Sequence, residues 1–151
     1  MNLSRIIERW AAHFPHKPAL HFHGLDISYG TLWNEINKTS DSLDVRKGDR
    51  VAWLGYNSPE MLALLFALAR RGAILVPLNW RLTAAEHRTI LEDCKPRWLF
   101  HDEDFASQAS LLNIPTAKPD KSNSKSEGTD SDDVLIVYTS GTTGKPKGAV
   151  L

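Results

Sequence analysis

Along the first fourteen residues, Leu3, Ile6, Ile7, Trp10 and Phe14 recur at the spacing of one helical face. Arg5, Glu8 and Arg9 fall on the opposite side, and Pro15 and Pro18 end the pattern. Ala19 to Phe22 and Ile27 to Tyr29 flank His23-Gly24-Leu25-Asp26, which predicts a short edge hairpin. A second helix is expected from about Thr31, with Leu32, Ile36 and Leu43 on one side. Strand and helix then alternate. Val51 to Leu54 reads as a buried strand. Ser58-Pro59-Glu60 is a helix start, with a capping hydroxyl, a first-turn proline and an acid at the positive helix end. Gly72 stops that helix, and Ala73 to Leu78 is the next strand. Thr83 to Glu86 is a capping box that opens a helix carrying Ile90, Leu91 and Cys94. Pro96 closes it, Arg97 to Phe100 is a further strand, and Asp102-Glu103-Asp104 begins a helix to about Leu112. Short connections between alternating elements predict an α/β fold: a parallel sheet flanked by helices.

The alternation breaks at 118–133, a stretch with no aliphatic or aromatic residue, which reads as a flexible polar connection. It separates an α/β part, 1–117, from a final segment, 134–151. That segment starts with the apolar strand Val134-Leu135-Ile136-Val137-Tyr138 and enters Thr139-Ser140-Gly141-Thr142-Thr143-Gly144-Lys145-Pro146-Lys147-Gly148. Glycines let backbone N–H groups converge on an anion, hydroxyls add donors, and lysine adds charge. At the carboxyl end of a sheet strand, such a loop suits a polyphosphate. It is not a Walker A loop. Gly141 and Gly144 are only three apart, and Lys145 is followed by Pro146, which offers no hydroxyl to magnesium and obstructs a following helix.

Composition narrows the remaining classes. The chain has 151 residues, 42% hydrophobic and 24% charged, with 18 basic and 18 acidic residues. Zero net charge argues against a nucleic-acid binder and against a protein held on anionic lipid. One cysteine, Cys94, allows no internal disulfide and no paired-cysteine zinc site. The longest apolar run, Met61 to Ala69, stops at Arg70-Arg71, short of a transmembrane span. Arg5, Glu8 and Arg9 interrupt any signal-peptide pattern, so a cytoplasmic location is expected.

Other constellations are set aside. His21 and His23 share a strand face without a third ligand, so no metal site is expected. His13 and His16 sit at a helix end, and Asp102 to Asp104 suit a helix N-terminus. Asp132 and Asp133 read as a solvated lead-in to the last strand, and the five tryptophans read as packing. Ser140 lacks a Gly-x-Ser-x-Gly elbow, and Cys94 reads as inert core.

Tyr138 through Gly148 resembles the phosphate-loop signature of the adenylate-forming (AMP-binding) superfamily. Ile27-Ser28-Tyr29-Gly30-Thr31-Leu32 is similar to the family's early Ser/Thr-Tyr-x-x-Leu segment. Arg71-Gly72-Ala73-Ile74-Leu75-Val76-Pro77-Leu78-Asn79 is similar to its Gly-Ala-x-x-x-Pro-Leu segment. Asn79-Trp80-Arg81-Leu82 most resembles the branch acting on fatty and other organic acids, the acyl-CoA synthetases. The segments keep the family's order over nearly the whole chain.

This resemblance implies an acid–thiol ligase. ATP and a small-molecule carboxylic acid give an acyl-adenylate and pyrophosphate, and the acyl group then passes to a thiol such as CoA. Thr139, Ser140, Gly141, Thr142, Thr143 and Lys147 would contact the phosphates, with Mg²⁺ on the β- and γ-phosphates. Gly144 and Gly148 would let the loop order itself on ATP, and Pro146 would limit that freedom. The family's later adenine-binding, magnesium-holding and ribose-binding residues, and its C-terminal catalytic lysine, have no counterpart here. No catalytic residue is therefore assigned within these residues. The chain is expected to be the incomplete N-terminal subdomain of such an enzyme, inactive in adenylation by itself. The alternative is a non-catalytic phosphate-binding or interaction module, or a defunct truncated remnant, that carries the same loop.

Overall fold

The computed structural model describes residues 2–116, 126–139 and 146–151. Helix α1 (Leu3–His13) is capped by the Asn2 carboxamide, whose oxygen accepts from the Ser4 N–H at 3.0 Å. Strands β1 (Pro18–Phe22) and β2 (Leu25–Ser28) form the expected hairpin. Its turn residues His23 and Gly24 have φ of 49° and 81°, the left-handed conformation that a two-residue hairpin turn requires. Helix α2 (Tyr29–Ser42) starts two residues earlier than expected, because Ser28 Oγ accepts from the Thr31 N–H and acts as the cap.

The alternating core comes next. Strand β3 (Arg50–Leu54), helix α3 (Pro59–Arg71), strand β4 (Ile74–Leu78), helix α4 (Ala84–Cys94) and strand β5 (Trp98–His101) succeed one another. Ser58 caps α3 and Gly72, with φ 69°, ends it in the left-handed conformation. The Thr83–Glu86 capping box forms with both reciprocal bonds. Lys95, at φ 45°, turns the chain out of α4 one residue before Pro96. The helix expected over 102–112 divides into a single 3₁₀ turn (Glu103–Phe105) and the short helix α5 (Ala106–Ser110). Asp102 stands at the N-terminus of the turn without a side-chain capping bond, because its carboxylate accepts from the Tyr56 N–H at 2.8 Å. Strands β6 (Ile136–Thr139) and β7 (Lys147–Val150) close the chain.

The parallel sheet runs β4-β3-β5, with Ala52 opposite both Val76 and Leu99. Single parallel bridges widen it, Leu75 to Leu135 on one edge and Leu99 to Thr116 on the other. Alternate residues of β3 face opposite ways, so each face has its own core. Val51, Trp53 and Leu75 pack under α1, α2 and α3 with Ile7, Ile36 and Leu68. Ala52, Leu54, Val76 and Leu99 pack with Ile90, Leu91 and Phe105 under α4 and the 3₁₀ turn. Leu54, Leu68, Leu75 and Leu99 are fully buried, each worth about 1.5–3 kcal/mol in apolar burial. This is a parallel sheet with helices on both faces, the fold class that the alternation predicts.

Of the polar stretch before the last strands, residues 126–133 are described, and they lie against the body. Gly128 N donates to Arg70 O at 2.7 Å, and Ser126 Oγ donates to Arg71 O at 2.8 Å. Asn2 reaches across to the same place, its Nδ2 donating to Ala69 O and its N–H to Asp130. Asp132, expected to be solvated, instead accepts from Lys47 Nζ at 2.7 Å and from Thr129 N and Oγ1. A Cβ at position 128 would lie 2.0 Å from Ala69 O, so only glycine fits there. The chain thereby enters β6 from a fixed point beside the end of α3.

Candidate functional site

Leu135 pairs with Leu75 in parallel, so β6 leaves the sheet at the same edge as the carboxyl ends of β3, β4 and β5. The carboxyl ends carry the residues that reach beyond a parallel sheet, and ligands of open α/β folds bind there. Thr139 and Lys147 face each other as the last pair of the β6–β7 ladder, and both are exposed. Ser140, Gly141, Thr142, Thr143 and Gly144, the other proposed phosphate contacts, lie outside the described residues. Beyond the loop the chain returns as an antiparallel strand. In a Walker A arrangement it would be a helix, so the return strand agrees with the exclusion drawn from Pro146.

The hairpin is anchored from below. The Tyr138 hydroxyl donates to the Asp93 carboxylate on α4. Burial and that carboxylate both push the Tyr138 hydroxyl above its ordinary range, so it remains a neutral donor. Gly148 sits opposite Tyr138, and a side chain there would lie 2.9 Å from Ile136 Cγ2 and 3.0 Å from Tyr138 Cζ. Its lack of a side chain thus makes room for the Tyr138 ring. Burial pushes the neighbouring Cys94 thiol up to about 11, which keeps it protonated and inert. Arg50 fastens the same end of α4, donating from Nε to Cys94 O at 2.8 Å and from Nη1 to Gly48 O at 3.0 Å.

Along the rest of the edge the structure assembles a rim that sequence reasoning missed. Tyr56, Trp80 and Phe105, from three different connections, cluster with ring centroids 5.1–6.3 Å apart. The Arg81 guanidinium lies 4.1 Å from the Trp80 ring centroid. Fully buried His87 holds this rim. Its Nε2 is 2.9 Å from Asn79 O and its Nδ1 is 3.3 Å from the Gln108 amide nitrogen. A carbonyl only accepts and an amide nitrogen only donates, so those partners place the ring proton on Nε2. Gln108 also donates to Leu82 O at 2.8 Å, which pins the far end of the 79–82 connection. One signal was available: the capping box places residue 87 one turn into α4, directly behind the strand end at Asn79.

An open cleft of about 630 Å³ borders the rim, lined by Tyr56, Asn57, Ser58, Asp102, Glu103 and Asp104 among others. Three carboxylates make it a poor place for a polyphosphate. The Thr139–Lys147 end carries the opposite charge. Elsewhere, the His21 ring bonds Asp26 at 2.8 Å on the exposed hairpin, and His13 Nδ1 donates to Arg9 O at the end of α1. Among the described residues no group of three or more metal-ligating side chains converges.

The profile of the AMP-binding enzyme family matches residues 7–151. The chain belongs to this family. Among curated relatives, the indoleacetate–CoA ligase of Aromatoleum aromaticum is 40% identical, over all of this chain and 35% of its own length. The fatty acid–[acyl-carrier-protein] ligase ScoC of Streptomyces coeruleorubidus is 36% identical, over 93% of this chain and 31% of its own. Among solved structures, a Mycobacterium tuberculosis fatty acyl CoA synthetase superposes with a TM-score of 0.82 at 27% identity, covering 99% of this chain and 34% of that one. The chain thus spans about a third of the length of these relatives. Their shared region is the N-terminal portion of an AMP-binding enzyme, and among the described residues no helix is long and apolar enough to cross a membrane.

Proposed function

We propose that these 151 residues form the N-terminal, phosphate-binding part of an ATP-dependent carboxylate-activating ligase. It makes an acyl-adenylate and then a thioester, with CoA as the acceptor and a fatty or other organic acid as substrate. The observation that carries this reading is the family match over 7–151 ending in a hydroxyl- and glycine-rich hairpin at the carboxyl edge of the sheet. In it Thr139, Ser140, Gly141, Thr142, Thr143, Gly144 and Lys147 cradle the β- and γ-phosphates. A carboxylate attacking the α-phosphate meets like charge, and pyrophosphate leaves with more of it. N–H groups, hydroxyls and the Lys147 ammonium aimed at those oxygens lower that barrier electrostatically. The loop carries no carboxylate of its own, so a metal ion fits here only as part of the nucleotide. Mg²⁺ on the phosphates would supply further charge neutralisation. The anchor at Tyr138 holds the strand that leads into the loop. A cytoplasmic setting, where ATP and thiol acceptors are abundant, suits this chemistry.

Two measurements test the proposal. Carboxylate-dependent exchange of pyrophosphate into ATP is expected to be absent with the 151-residue chain alone, and robust exchange would overturn the division of labour. A chimera tests the activity itself, with this chain replacing the matching N-terminal third of the Aromatoleum ligase. It should form acyl-adenylate, and Lys147→Ala should lower the rate about 10²–10³-fold, the usual loss for one stabilising donor. A folded chimera without adenylation contradicts the proposal.

A further inference from the structure

We propose that the outward face of α1 is a docking surface for an anionic lipid bilayer, independent of the ligase reading. The buried side of α1 is formed by Ser4, Ile7 and Ala11. Beside it runs a second apolar row at i, i+4, i+8: Ile6, Trp10 and Phe14, which are 37%, 38% and 51% exposed. The packed core does not use this row. A parallel row at the same spacing, Arg5, Arg9 and His13, is exposed next to it. Lys17 completes the flank, its ammonium 5.3 Å from the Trp10 ring centroid and 5.7 Å from that of Phe14. Tyr29 stacks on the inner side of Trp10 at 5.4 Å, which holds the indole outward. The helix therefore presents an apolar row with large aromatic rings, bordered by Arg9, His13 and Lys17, while Glu8, the one acid in α1, is exposed beside Arg5.

This combination matches one partner better than others. Trp and Phe seat at the boundary between headgroups and acyl chains, while Arg and Lys meet anionic headgroups. A second copy of the chain fits badly, because a two-fold contact through the row would bring Arg5, Arg9 and Lys17 of both copies together. Chain-wide neutrality argued against anionic lipid, but it averages over an uneven distribution. The start of α1 is balanced, with Glu8 and Glu127 lining one pocket with Arg5, and Asp130 accepting from the Asn2 N–H, whereas residues 9–17 carry Arg9, His13, His16 and Lys17 and no acid. Attraction to a charged surface depends on the charges within about 8–10 Å of it, the Debye length, and not on the total.

The test is co-sedimentation of the 151-residue chain with phosphatidylcholine vesicles, with and without phosphatidylserine. Binding is expected only when phosphatidylserine is present, and it should weaken as salt is raised. Trp10→Ala with Phe14→Ala should lower partitioning more than about tenfold. Arg9→Gln and Lys17→Gln should each lower it about fivefold. Phe14→Glu, at the most exposed position of the row, serves should loss of the Trp10–Tyr29 stack unfold the protein. Leu111, 57% exposed on a different surface, provides the control, and Leu111→Ser should change nothing. Equal binding to neutral vesicles would overturn the proposal, as would an equal loss from Leu111→Ser. So would binding that survives loss of Trp10 and Phe14 and is displaced by polyglutamate, which would mark a merely basic surface for acidic chains.

Discussion

Gly55 and Asp102 form a pair whose coupling can be worked out from the structure. Gly55 comes directly after β3, and a Cβ there would lie 2.3 Å from Asp102 Oδ2 and 2.6 Å from its Cγ. The carboxylate cannot move freely, because Oδ2 accepts from the Tyr56 N–H at 2.8 Å. Gly55→Ala therefore forces a choice between overpacking, typically 1–3 kcal/mol, and loss of a charge-assisted bond, about 1.5 kcal/mol at a half-exposed site. An overall loss of about 3 kcal/mol is expected, a fall in Tm of about 6–12 °C for a chain of this size. Asp102→Ala alone loses only the bond, since Tyr56 N can turn to water, so about 1–1.5 kcal/mol. In the double variant the obstructing carboxylate is gone. The nearest remaining atom is Trp53 Cε2 at 3.1 Å, a contact that a small shift relieves. The double variant should thus be about 1–3 kcal/mol more stable than the sum of the single effects. Urea unfolding of the four proteins reads this coupling. Additivity within about 0.5 kcal/mol would refute the reasoning, because it would mean that the carboxylate is not what excludes a side chain at 55.

Three other perturbations have outcomes set by the same structure. Asp132 is held at a pKa of about 2 by Lys47 and by Thr129, below the ordinary carboxylate value. A depressed folded-state pKa contributes stability that is present above the unfolded pKa and is lost as pH falls through about 2. Wild-type urea midpoints should therefore drop more steeply than those of Asp132→Asn between about pH 4 and 2, and parallel curves would contradict it. Cys94, raised to about 11, should react with a thiol reagent at pH 8 far more slowly in the folded protein than in urea. Gly128→Ala places a methyl 2.0 Å from Ala69 O and should free the 126–133 segment, seen as faster amide exchange at Gly128 and Thr129 while β3 amides stay protected.

Local chemistry made most of the fold legible. Ser58-Pro59-Glu60, the Thr83 capping box and Gly72 each satisfy or terminate a helix by bonds within a few residues, so sequence neighbours suffice to predict them. Asp102 stands at a helical N-terminus as expected and Asp132 is not solvated, but for both the partner that decides the side chain is far off, 46 and 85 residues away. An acid before a helix and an acid in a polar stretch look self-sufficient, and nothing nearby reveals that Tyr56 N or Lys47 claims them. The site divides in the same way. Thr139 and Lys147 were legible because one short motif contains them, whereas the rim of Tyr56, Trp80 and Phe105 is gathered from three connections by the sheet register.

That register also explains why the rim is stiff enough to matter. Each carboxyl end of the three paired strands is tied by a bond from another element: Tyr56 N to Asp102, Asn79 O to His87, and Asp102 N to Leu54 O. Two of these ties join neighbouring strands directly, and the third joins β4 to the helix behind it. Loosening any one leaves a backbone group at the edge without its partner, at about 1–3 kcal/mol where water cannot reach. The fourth strand, β6, is joined to β4 by the Leu75–Leu135 bridge and the Leu75 N–H bond to Val134 O, and to α4 through Tyr138 and Asp93. The β6–β7 hairpin is thus fastened at its base to the same sheet edge that carries the rim, and moving one against the other would break backbone as well as side-chain bonds.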